Sequence, residues 1–494
     1  MRRAIPLAML AAAALVVAGL VLAKRDPAGK FTENRDAWEA YDQGERLLQS
    51  FRFAEATAKL EEAVALDPGL GMAHIALAEV YNKTGMPDDS RLHRVIADSL
   101  ADLTDNEESR LLLQVRLAGG TWSRFHSQRD SLVAAARDLC PDHIVVLVSE
   151  ANHASGAGEV ETAERVWNHI LEINPNYAAA YNYLGYLYLA NGEYDKAESA
   201  MRRYAFVAPD LANPHDSLGE VLMYVGRYEE ALQEFKWALA KQPDFFHSYM
   251  NMGRIHFARG EVDRANELFD QIRAEFEGTD MLHYAEIIRL GALFDHRVMD
   301  DYITYADRFI AEFPKSSLVQ NVRLRQRMAR QELDLALALL DSAKMAYRSE
   351  DWYPQDSQKR GQVEIEQVRY RGLLAEMAGD YATASQAFRQ SLEYRASLPP
   401  HERLFDQVHL ALNLAPIGGF DEARRVIRQA LSLNPRLPES LLVAAAVEAA
   451  AGEAGEAHRI LDALDRALEL ADEDYPAVLD VRRLREQLPE PGQI

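Results

Sequence analysis

The 494-residue sequence contains one cysteine, Cys140. A lone thiol excludes an intramolecular disulfide, a cysteine-built zinc site and an iron–sulfur cluster. Basic residues are few beside acidic ones, 54 against 77, which gives a formal net charge of −23. A chain so anionic is repelled by phosphate backbones, so nucleic acid is excluded as a general partner. Catalytic signatures are missing too. None of the 14 histidines lies in an HExxH motif, and there is no P-loop and no G-x-S-x-G elbow. Glu150 and His153 have the E-x-x-H spacing that serves di-iron sites in helix bundles, but no second such motif accompanies them. They read as polar residues near a turn, and Cys140 reads as a half-buried structural thiol. The sequence therefore implies no metal, no cofactor and no enzyme. Apolar residues, by contrast, are plentiful at 48%, enough for a folded core.

The first 23 residues stand apart. Arg2 and Arg3 precede an uncharged run from Ala4 to Ala23, followed by Lys24 and Arg25. A basic start, an apolar stretch and small residues at its end form a secretory signal. The run of 20 residues is also long enough to span a bilayer as an uncleaved anchor. In both cases the basic start stays in the cytoplasm and the body of the chain lies outside it. The expectation is an exported protein, either tethered by an N-terminal hydrophobic helix or periplasmic or extracellular after cleavage. Membrane contact would run through this segment if it is uncleaved.

An internal repeat dominates the rest. Pro141, Pro175, Pro209 and Pro243 fall at steps of 34 residues. Gly158, Gly192, Gly226 and Gly260 keep the same step, as do Ala163, Ala197, Ala231 and Ala265. Gly185, Gly219 and Gly253 form a further set. Each unit contains two stretches of helical periodicity divided by a turn such as Asn191–Gly192 and stopped by a proline. Gly185 lies inside a helix, where glycine costs ~1 kcal/mol against alanine. Its recurrence predicts a close helix–helix approach that a side chain would block, and Ala197 has the same role on the second helix. Each unit is thus an antiparallel helix pair that buries its apolar face only by stacking on its neighbours.

This pattern resembles the tetratricopeptide repeat (TPR) family. Tyr181, Leu184, Gly185, Tyr188, Gly192, Tyr194, Ala197 and Pro209 carry the resemblance in the best unit. Leu218, Gly219, Gly226, Tyr228, Ala231, Phe235 and Pro243 carry it in the next. The implied fold is all-α, a solenoid of about twelve stacked antiparallel helix pairs. Its expected divisions are a signal or anchor (1–23), a linker (24–35), an N-terminal repeat array (36–276) and degenerate helical repeats (277–348). A linker loop (349–362), a C-terminal array (363–470) and a capping helix with tail (471–494) follow. The whole reads as one quasi-linear array, hinged near 349–362.

The resemblance also implies a function. TPR arrays are non-catalytic scaffolds that hold partner peptides or helices in a concave groove lined by the first helix of each pair. It places Asn182, Tyr186, Asp216, Glu220, Met250, Arg254 and Phe257 there. The set lacks the Lys/Asn/Arg arrangement by which some members of the family clamp a terminal carboxylate. It suits a peptide held by backbone hydrogen bonds and apolar contacts. Separately, Arg323, Arg327 and Arg330 share a helical face in an otherwise acidic chain. They form a patch for an acidic partner unless neighbours such as Glu332 and Asp334 neutralise them. Two other roles stay open: a regulatory or sensory subunit of a separate signalling enzyme, and an enzyme with its site in the groove, supported only by Glu150 and His153.

Overall fold

A computed structural model describes residues 32–49, 52–84, 86–120, 122–348 and 357–489. The expected N-terminal segment, 1–23, lies outside the described residues. Among those described there are 25 α-helices and no strand. They form twelve antiparallel pairs, from α1 (Arg35–Gln49) with α2 (Phe53–Leu66) to α23 (Pro438–Ala450) with α24 (Ala454–Ala467). A last helix, α25 (Pro476–Gln487), covers the apolar end of the stack. Among the described residues no helix is long and apolar enough to cross a membrane.

The glycine pattern has the steric meaning expected of it. A Cβ on Gly219 would lie 2.7 Å from Phe235 Cε1, and one on Gly253 would lie 2.6 Å from Phe269 Cε2. In the preceding unit a Cβ on Gly185 would meet Met201 Cε at 2.5 Å. The same step of 16 residues recurs at Gly44 with Leu60 and at Gly372 with Phe388. Ala163, Ala197, Ala231 and Ala265 are all fully buried. Substitution by alanine should therefore separate rigid neighbours from soft ones. Helix propensity favours alanine by ~1 kcal/mol, whereas an overpacking clash costs ~1–3 kcal/mol. The Phe235 ring cannot yield, so Gly219→Ala is expected to lose about 1–2 kcal/mol in urea unfolding. Met201 is flexible, so Gly185→Ala is expected to be nearly neutral.

The chain divides into two compact units. Among the described residues, the first comprises those up to 188 with 195–214, and the second 189–194 with those from 215 onward. The division does not fall at the expected hinge near 349–362. Residues 349–356 lie outside the described part, and 357–362 already belong to helix α19 (Ser357–Met377). The segment SQKRGQ has no proline to stop a helix, so it extends the one that follows.

Nor is the second unit a linear stack in which each repeat meets only its neighbours. Three successive turns of its early repeats receive three later bends. Gly192 lies against Pro400, Gly226 against Asn434, and Gly260 against Ala471 and Tyr475. Each of these glycines has φ between 75° and 77°, and any side chain there would collide with the docked bend. Polar contacts fix the closure. His401 N donates to Tyr194 Oη at 3.2 Å, Asn434 Nδ2 to Tyr228 Oη at 3.0 Å and Tyr475 Oη to the Phe257 carbonyl at 3.1 Å. Arg436 pairs with Glu229 at 2.7 Å, and Asp472 N donates to the Gly260 carbonyl at 2.9 Å.

Candidate functional site

The first unit contains a cavity of about 600 Å³ along its stacked first helices. Five successive pairs contribute to it. Glu45 and Leu48 come from α1, and Ile75, Glu79 and Lys83 from α3 (Gly71–Lys83). Val115 and Arg116 come from α5 (Glu107–Ala118), and Val145, Val148 and Asn152 from α7 (Ile144–Ala157). Asn182 and Tyr183 come from α9 (Ala178–Ala190). Arg94, Trp122 and Arg129 complete the lining from outside the first helices. This is the concave groove that stacked first helices create.

Its charge runs against that of the chain. Lys83, Arg94, Arg116 and Arg129 face only two acids, Glu45 and Glu79. Arg116 pairs with both: it forks onto Glu79 with two bonds of 2.8 Å and reaches Glu45 at 2.8 Å, so one cation is shared between two carboxylates. Burial opposes its charge, yet the two glutamates hold its pKa well above the usual arginine value. Arg129 donates to the Ser149 carbonyl at 2.9 Å. Arg94 has no ion pair of this kind among the described residues. Its guanidinium lies 5.1 Å from the Trp122 ring centre, and burial pushes its pKa down. A half-buried cation with no direct ion pair is a place for an anionic group. Asn182 adds a directional element, because its side-chain carbonyl oxygen is buried with no hydrogen-bond partner among the described residues. Tyr183 lies flat on Trp167, with ring centres 4.6 Å apart, and remains 45% exposed as an apolar platform.

Of the seven expected groove residues, Asn182 lines this cavity, and Tyr186 is exposed on the same helix. The other five lie in the second unit, and three of them are corrected. Met250 and Phe257 are 5% and 0% exposed and belong to the hydrophobic core. Phe257 faces the Phe269 ring inside its own pair. Asp216 is 7% exposed and accepts a hydrogen bond from Ser248 Oγ at 2.8 Å, a staple between consecutive first helices. Burial pushes its pKa up to about 7. Arg254 donates to Asn251 at 3.2 Å, and Glu220 accepts from the Tyr224 hydroxyl at 3.2 Å.

The arginine patch is largely neutralised by its neighbours. Arg327 pairs with Glu332 and Arg330 with Asp307, whereas Arg323 is exposed without an ion pair among the described residues. Glu150 pairs with Arg137 at 2.9 Å and His153 lies 3.8 Å from Asp130. No cluster of three metal-ligating side chains occurs among the described residues.

Sequence reasoning missed Lys83, Arg94, Trp122 and Arg129, because they fall at the edges of the degenerate repeats between 86 and 140. It also missed the turn register of the repeats after 280. Arg297 and Gln331 stand 34 residues apart with φ of 62° and 59°, where the regular repeats carry glycine. A side chain in this region costs ~1 kcal/mol. Gln331→Gly is therefore expected to raise the unfolding free energy by about 1 kcal/mol, measured by urea denaturation.

Two segments match models of the tetratricopeptide repeat family, residues 166–199 and residues 217–278. The chain carries tetratricopeptide repeats. Among solved structures, yeast Tom70 is 15% identical with a TM-score of 0.38, over 92% of this chain and 96% of that one. The Cut9 and Hcn1 hetero-tetramer of the APC/C is 14% identical with a TM-score of 0.40, over 97% and 87%. A TPR protein from Parabacteroides merdae is 14% identical with a TM-score of 0.41, over 54% and 97%. Scores at this level do not establish a shared arrangement of repeats. No curated protein has significant sequence similarity to the chain. TPR arrays build protein-interaction scaffolds, and the groove of the first unit has the form such a scaffold uses.

Proposed function

We propose that this TPR chain is a non-catalytic scaffold whose first unit holds an extended, acid-bearing segment of a partner protein. One observation carries the proposal: a groove lined by four basic and two acidic residues, in a chain of net charge −23, leaves Arg94 half-buried without an ion pair among the described residues. Asn182 faces the backbone N–H groups of the segment as an acceptor, Tyr183 and Trp122 pack on its apolar side chains, and Arg94 and Lys83 take its carboxylates. Arg116 is shared between Glu45 and Glu79 and offsets part of their charge, and Lys83, Arg94 and Arg129 leave the lining net basic. We also propose that residues 1–23 export the chain or tether it to a membrane. Their support is the sequence, a basic start followed by 20 uncharged residues.

Photo-crosslinking in the native cell tests the groove. A benzoylphenylalanine in place of Tyr183 should capture a discrete partner, and mass spectrometry of the adduct should place the link in an acidic segment. The same group in place of exposed Arg165, on the second helix of its pair, should capture nothing specific. Equal capture at both positions, or none at Tyr183, would overturn the proposal.

A further inference from the structure

The closure of the second unit creates a second cavity, of about 410 Å³. Seven helices contribute to it, among them α16 (Met299–Glu312) through Met299. Phe294 closes α15 (Asp280–Asp295), Met328 comes from α17 (Val319–Ala329) and Met377 ends α19. Phe405 comes from α21 (Leu404–Leu414), Leu442 from α23 and Leu484 from α25. Its volume falls in the range of small-molecule sites, ~300–1,000 Å³. It is too small for a folded segment, and its walls are mostly apolar.

The polar groups at this cavity have the opposite sign to those of the groove. Asp295, Glu376, Glu439 and Asp480 face one arginine, Arg297. Arg297 is committed to Asp480. Glu376 receives His409 at 2.8 Å, and Glu439 pairs with His296. Glu439 still keeps one carboxylate oxygen, Oε2, without a hydrogen-bond partner among the described residues. Asp295 is exposed, and no ion pair to it occurs among the described residues. The lining therefore has carboxylate in excess over fixed cation, beside an apolar volume that water fills poorly. Arg297 and Gln331 also line the cavity, and they are the two non-glycine residues held at positive φ among the described residues. A turn glycine would have removed both side chains from this wall.

We infer that the cavity of the second unit is a binding site for a small molecule with an apolar body and one protonated amine. The apolar body fills the space between Phe294, Met328, Met377 and Leu442, and the ammonium group lies among Glu439, Asp295 and Asp480. Charge selects the ligand: a carboxylate of the same body would meet the acids and be rejected, and an alcohol would leave the excess charge unanswered.

Isothermal titration calorimetry of the full chain at pH 8 tests this with decylamine, decanoate and decanol, each below its micellar range. Decylamine should bind at one equivalent and at least tenfold more tightly than decanoate or decanol. Leu442→Trp and Ala446→Phe each fill the cavity, and each should weaken decylamine at least tenfold with the circular dichroism spectrum unchanged. Glu439→Gln should narrow the preference for amine over alcohol at least threefold and leave decanol unaffected. Arg94→Ala, in the other unit, should change none of these values, so failure here is distinct from failure of the groove. Equal affinity for the three compounds, no saturable binding of decylamine, or full binding by both filled variants would overturn the inference.

Discussion

Asp216→Asn is expected to stabilise the protein at pH 7.5 by roughly 2–4 kcal/mol and to remove a pH dependence that the parent protein shows. The carboxyl is buried, and burial lifts its pKa from 3.8 to about 7. Below pH 4 both the folded and the unfolded chain hold this proton, and no penalty exists. Between pH 4 and 7 the unfolded chain releases the proton while the folded chain keeps it, so stability falls as pH rises. Above pH 7 the full cost of ionising a buried group is in place. The displacement corresponds to on the order of 4 kcal/mol, of which an asparagine that still accepts from Ser248 recovers the larger part. His74 and His401 titrate in the opposite sense. Burial pushes both down to about 4, so they add stability as pH rises from 4 to 6.5. Comparing parent and variant at each pH by urea unfolding isolates Asp216. A difference between them that is the same at pH 4 and pH 7.5 would contradict the assignment.

Arg116→Ala is the second large effect, and it links stability to the groove. Arg116 joins three first helices, because Glu45 is on α1, Glu79 on α3 and the arginine itself on α5. Its side chain is 9% exposed, and that of Glu45 is 19% exposed. Removing the cation leaves two facing carboxylates without compensation, which costs about 3 kcal/mol. Lysine should restore only part of this, because an ammonium group cannot fork onto two carboxylates. Arg116→Ala should also weaken binding of an acidic segment, since the charged lining falls from four basic and two acidic residues to three basic and two acidic, with both acids unmasked. An Arg116→Ala protein that melts with the parent and binds as the parent does would remove Arg116 from both roles.

Much of the fold was legible in the sequence because the repeat is written in residues with steric duties. Gly219 must clear Phe235 and Ala231 must fit under its neighbour, so their spacing fixes the pairing of helices even where the remaining positions drift. The twelve pairs and the final capping helix follow from that spacing. The closure of the second unit was not legible. It depends on Pro400, Asn434 and Tyr475 meeting turns more than 200 residues earlier, and no local period records such a contact. The expected groove was only partly legible. Asn182, which lines the first unit's cavity, was legible as a first-helix residue because it lies in the best repeat. Met250 and Phe257 were misplaced because a first helix in a closed stack buries more of its surface than one in an open array. Arg94, Trp122 and Arg129 were invisible because they lie beside a groove whose repeats had lost their signature residues. Arg297 and Gln331 hid two further turns, since nothing in their side chains announces a positive φ.

Selection of random peptides against the full chain, followed by affinity measurement with Arg94→Ala, tests the groove most directly. Binding of an acid-bearing segment predicts that the selected peptides are enriched in Asp and Glu, and that Arg94→Ala weakens them at least tenfold. Asn182→Ala should weaken them regardless of their side chains. Selected peptides that are neutral or basic, or that bind Arg94→Ala as tightly as the parent, would contradict it.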